Sequence, residues 1–203
     1  MEKKNFPVLG CFLLLILIGG LVFGGIKGYN WIKDEYFSYW VGPDGEREHE
    51  YVKVGGARIV GADGSHIELF NNPEAKDPTW QILKQFLRQD KTDQYLYDEN
   101  SFVCADFAEM LHNNAEKSGI RAAFVSVALD DSSPNHALNA FNTTDRGLIY
   151  IDDTGVEQGG LSADKTVDVV NDRQYVPESI FPNPGYESQW QSLGTISNIW
   201  IQW

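Results

Sequence analysis

The apolar patterns along the chain predict an α+β fold with a central helix packed across an antiparallel sheet. Three observations lead to this. Apolar residues recur at helical spacing in two stretches, 79–88 and 103–117. Shorter apolar runs at 122–129, 136–141 and 148–152 read as strands. The helices come first and the strands follow, without the strand–helix alternation of a parallel sheet.

Taken in order, Pro43-Asp44-Gly45 is a turn signal, and residues 50–54 and 58–60 read as short strands. Ala62-Asp63-Gly64 then turns the chain into 65–70, making a hairpin. Residues 71–78 are a loop. Trp80, Leu83, Phe86 and Leu87 define the first helix, with Asp77 or Thr79 as its cap. The polar stretch 89–100 is a loop. In the second helix Phe107, Ala108, Leu111 and Ala115 line one face, and Gly119 supplies the stop. Residues 122–129 form a buried strand. The strands 136–141 and 148–152 are joined through a turn at 142–147. The tail holds scattered turns and a last edge strand at 199–203.

The chain has 203 residues, enough for one domain with a sizeable core plus an N-terminal address or anchor. Hydrophobic residues make up 42% of it, which is a globular composition and not a disordered one. Its net charge of -13 repels phosphate backbones, and no stripe of Lys and Arg offsets this, so nucleic acid is not an expected partner. The acidity reads as a solubility device, with a preference for cationic or amine substrates as the other reading.

Residues 1–27 read as a transmembrane anchor. Two lysines, Lys3 and Lys4, precede the uncharged stretch 6–26, which is long enough to cross a hydrocarbon core. The rest of the chain then lies outside the cytoplasm. Cleavage as a signal peptide near Val22-Phe23-Gly24 is the alternative, and gives a secreted protein. Residues 28–48 form an aromatic-rich connector suited to a membrane interface. Residues 49–203 are the folded domain, with a core at about 79–155. Of the two cysteines, Cys11 lies in the leader, so the domain holds a single thiol, Cys104. A leftover cysteine in an extracytoplasmic domain is a candidate reactive group.

Cys104 falls in the first turn of the second helix. Unpaired N–H groups and the positive dipole end favour an anion there, and the thiolate is the nucleophilic form of cysteine. A lone helix cysteine is more often an inert small hydrophobe, so position alone does not decide. His136 and Asp152 are 16 residues apart with their midpoint at Thr144, inside the expected turn. A hairpin folded there sets the two side chains opposite each other on one face. The carboxylate then accepts the imidazole N–H and fixes its tautomer. Asp153 points to the other face, and a one-residue slip would exchange Asp152 for a neighbour. Spacing does not bring Cys104 to His136.

The ordered set of motifs does suggest that meeting. Phe102-Val103-Cys104-Ala105-Asp106-Phe107-Ala108, followed by Gly119-Ile120-Arg121-Ala122, resembles the nucleophile helix and following strand of the transglutaminase-like superfamily. His136-Ala137-Leu138-Asn139-Ala140-Phe141 is similar to its histidine strand. Gly147-Leu148-Ile149-Tyr150-Ile151-Asp152-Asp153-Thr154 is similar to its aspartate strand. The match spans roughly residues 80–154. Leu138 and Leu148 replace common tryptophans, and Asp153 replaces a proline.

The resemblance implies a papain/transglutaminase-like core, with the nucleophile-bearing helix packed on the antiparallel sheet. It also implies a catalytic triad of Cys104, His136 and Asp152 that attacks protein or peptide amides through a thioester. Hydrolysis is favoured over amine crosslinking. The Cys104 backbone N–H is the first oxyanion donor; Trp80, Gln81, Tyr97 and Asn100 are candidates for a second. The alternative is a non-catalytic, membrane-tethered binding or assembly module that keeps the fold.

Other chemistries find no pattern. His49, His66, His112 and His136 are scattered and there is no CxxC, so no metal site is expected. Gly55-Gly56 and Gly159-Gly160 are isolated pairs without a nucleotide-binding context, and no cofactor is expected. Ser132 and Ser133 lack the sharp turn of a serine nucleophile.

Overall fold

The structure, a computed structural model, describes residues 49–130, 135–155, 164–182 and 191–203. The leader 1–27, the connector up to residue 48, and Ser132 and Ser133 lie outside the described residues. Among those described, no helix is long and apolar enough to cross a membrane.

In chain order the elements are β1 (His49–Tyr51), β2 (Lys53–Val54), β3 (Ala57–Arg58), β4 (Glu68–Phe70), α1 (Trp80–Gln89), α2 (Cys104–Lys117), β5 (Ala123–Leu129), β6 (His136–Thr143), β7 (Gly147–Asp152), β8 (Lys165–Val167), β9 (Pro177–Ser179) and β10 (Ile196–Gln202). A 3-10 turn at Thr92–Gln94 interrupts the stretch expected as loop. Six strands form an antiparallel sheet in the order β10-β5-β6-β7-β8-β9. The fold is thus α+β. The tail contributes three strands to that sheet where scattered turns and one edge strand were expected, so the core extends well past residue 155.

Each helix starts and stops for local reasons. Thr79 caps α1 by accepting from the Ile82 N–H at 3.2 Å, so Thr79 and not Asp77 is the cap. At the start of α2, Asp106 Oδ2 accepts from Val103 N at 2.8 Å and reaches out to Ala62 N at 3.0 Å. Gly119, at φ 75°, ends α2.

The sheet separates two apolar clusters. On one side Leu83 and Leu87 of α1 and Leu111 and Ala115 of α2 pack on Phe141 and Ile151. Asn139 on the same face donates to the Ala108 carbonyl at 2.8 Å, tying β6 to α2. On the other side Val125, Val127, Leu138 and Ala140 meet Val167, Val169, Tyr175 and Ile196. A third cluster joins Val52, Ile67 and Leu69 of the N-terminal strands to Ala105 and Ala108 of α2. There Gly61 passes so close to Asp106 that a Cβ would overlap its carboxylate.

Candidate active site

Three elements converge at one end of the sheet. Cys104 is the first residue of α2, so its N–H has no intrahelical acceptor. His136 opens β6 and Asp152 closes β7. His136 is hydrogen-bonded to Cys104 on one side, and its Nε2 lies 3.1 Å from Asp152 Oδ2 on the other. With Nε2 taken by the carboxylate, Nδ1 is the ring nitrogen left for the sulfur. Cys104, His136 and Asp152 are therefore brought together.

The register differs from the expected one. Thr143 pairs with Gly147 and Asn139 with Ile151, which centres the hairpin on Asp145 and not Thr144. Gly147, at φ 74°, supplies the left-handed step that closes this short connection. Carried along the ladder, the pairing sets Asp152 beside Leu138, so His136 and Asp152 are diagonal neighbours and not direct partners. The offset is two residues, which preserves the face because side chains alternate with period two. Asp153 faces the other way, buried beside Asp164. Burial and the neighbouring Asp164 charge push its carboxyl well above the usual range.

Two groups that sequence reasoning missed complete the surroundings of Asp152. Tyr175 donates its hydroxyl to Oδ2 at 2.8 Å, and its ring meets the His136 ring edge-on with centroids 5.2 Å apart. Lys165 is 2% exposed; its Nζ lies 3.6 Å from Oδ1 and donates to the Thr154 carbonyl at 2.7 Å. The Thr154 N–H also donates to Oδ1, at 2.9 Å. A signal for Lys165 existed: Lys165, Val167 and Val169 alternate with Thr166 and Asp168, which puts the lysine on the inward face of a strand. Nothing in the spacing marked Tyr175, which sits in a loop.

Opposing forces set the charges. Burial disfavours a charged His136, yet the Asp152 charge and hydrogen bond, and then Cys104, push the imidazole up to about 10. Burial likewise disfavours the Asp152 anion, but Lys165 first and His136 next hold its carboxyl well below the usual carboxylate range. At neutral pH His136 is an imidazolium and Asp152 a carboxylate. The His136 positive charge then stands between the half-buried Cys104 sulfur and the Asp152 carboxylate.

Cys104, His136, Asp152 and Lys165 line a cavity of about 380 Å³, with Leu129, Pro177 and Leu193 among its apolar walls. Of the second-donor candidates only Tyr97 lines this cavity. Trp80 lines a separate cleft with Arg146, and Gln81 and Asn100 are exposed away from it. Among the described residues no group of acidic, histidine or cysteine side chains could hold a metal ion.

Fold and site define an α+β domain with a half-buried cysteine beside a buried, hydrogen-bonded histidine–aspartate pair. Compared with protein-family models, with curated proteins and with solved structures, the chain matches none.

Proposed function

We propose that the domain is an extracytoplasmic, transglutaminase-like cysteine enzyme that attacks protein or peptide amides. The observation that carries this reading is the row from Cys104 through His136 to Asp152 on the wall of one cavity. The order of elements supports it: a helix opening on the cysteine, then the histidine strand, then the aspartate strand, as in a papain-like core.

The chemistry follows from the charges. The Cys104 thiolate adds to the amide carbonyl carbon, and the Cys104 backbone N–H meets the developing oxyanion. The C–N bond breaks as His136 passes its proton to the departing nitrogen, leaving a thioester. Water then attacks, His136 takes its proton, and the thiolate is restored as the acid leaves. An amine in place of water would give a new amide instead. Hydrolysis is favoured, because no described residue marks an amine-binding site. Segment 1–27 anchors the domain outside the cytoplasm, or is cleaved to release it.

Thiol-directed amide probes test this on the full-length protein. Cys104 should be alkylated faster than free cysteine at neutral pH. Peptide mapping should place the rapid adduct on Cys104, and Cys104→Ser should lose it, leaving only slow labelling of the leader's Cys11. A folded domain whose sulfur reacts no faster than free cysteine would be a binding module and not an enzyme.

A further inference from the structure

Tyr175 is fully buried and is the largest fully buried side chain among the described residues. Its backbone is clamped from both sides: Tyr175 N donates to the Gly194 carbonyl at 2.8 Å, and Leu193 N donates to the Tyr175 carbonyl at 3.1 Å. The ring is thus held from outside the hairpin that carries His136 and Asp152, yet it touches both. We propose that Tyr175 is a positioning residue of this site, orienting the Asp152 carboxylate through its hydroxyl and the His136 ring through its edge contact; this rests on reading Cys104, His136 and Asp152 as one reactive unit.

A buried tyrosine needs some acceptor, and a nearby carboxylate would satisfy it without any further role. What separates the two is which oxygen it uses. Tyr175 and His136 share Asp152 Oδ2, while Thr154 N and Lys165 hold Oδ1. Oδ2 therefore carries two hydrogen-bond donors and Oδ1 one, with the Lys165 ammonium 3.6 Å from Oδ1, and together they hold the carboxylate plane. Sharing Oδ2 also divides its charge between the phenol and the imidazolium. Burial and the Asp152 charge push the phenol well above its ordinary range, so it remains a donor wherever the site is charged. The groups facing this pair are Cys104 from α2, Lys165 from β8 and Tyr175 itself; all stay in place when only the hydroxyl is removed.

The consequence is a signed one. Tyr175→Phe leaves Oδ2 to His136 alone, so the imidazolium is held more tightly and gives up its proton less readily. Site-specific 3-fluorotyrosine at position 175 makes the hydroxyl a stronger donor at the same shape and does the opposite.

Nitrogen-15 histidine spectra of the full-length protein, with His136 assigned from a His136→Gln spectrum, read this directly. The His136 titration midpoint should rise by about half a pH unit or more in Tyr175→Phe and fall with fluorotyrosine. Should Tyr175→Phe not fold, the fluorotyrosine protein, changed by one atom, decides alone. Midpoints within about 0.2 of wild type would overturn the proposal and leave Tyr175 as packing. A moving midpoint beside an inert wild-type thiol would sink the enzyme reading and leave the positioning role intact.

Discussion

At the scale of single residues, the charge on Asp152 decides what the site can do, and Lys165 is what keeps that charge in a buried place. An ion pair this far from water gives little net stability when intact, but breaking it strands the remaining charge. Lys165→Met, which keeps the volume and removes the ammonium, should destabilise the domain by about 3 kcal/mol at neutral pH, read from the urea midpoint. The loss should shrink in acid as Asp152 takes up a proton; an equal loss at every pH would mean Lys165 acts through packing. Cys104, His136 and Asp152 were legible from residue type and order. The lysine was only implicit in a two-residue alternation, and the tyrosine was not marked, because a loop carries no periodicity from which direction can be read.

At the scale of elements, the start of α2 matters most, since it aims both the sulfur and the backbone N–H. Asp106 holds that start by accepting from Val103 and Ala62 together, and Gly61 leaves room for its carboxylate. Gly61→Ala should push the carboxylate off these donors, costing about 1–3 kcal/mol in thermal unfolding and slowing Cys104 alkylation in the same protein. Unchanged alkylation alongside the stability loss would separate the N-terminal strands from the site. The helices were readable from apolar spacing. The hairpin was read one position off-centre, which moves the cross-strand partner by two and leaves the face unaltered. Strands β8 and β9, three residues each, were too short for their alternation to stand out from turns.

At the scale of the whole molecule, the buried ionisable groups give opposing pH dependences. Asp152, held low, contributes stability above the ordinary carboxylate value of about 4 that is lost as pH falls. His136, pushed up to about 10, contributes fully below its ordinary value near 6.5 and loses that contribution as pH rises through about 10. His112 is fully buried and pulled down to about 4, mainly by burial; the unfolded chain takes up its proton first, so this group costs stability as pH falls from about 6.5. Glu109 is pushed up to about 7 by burial and by the acidic neighbours Asp106, Glu68 and Asp63, while it accepts from Glu68 N at 2.8 Å. Its unfolded form gives up the proton first, so it costs stability as pH rises toward 7. Glu109→Gln, which keeps the acceptor, should raise Tm more at about pH 8 than at about pH 5; equal gains at both would show that charge is not the cause. What the order of residues determined alone was local or periodic: helices, long strands, a cysteine opening a helix, and a histidine and an aspartate on one face. Only the tertiary structure decided which side chains from distant segments meet: sulfur with imidazole, and Lys165 and Tyr175 with the carboxylate. Those contacts join residues 13 to 32 positions apart on different elements, and no spacing rule reaches across a chain whose path is set by packing.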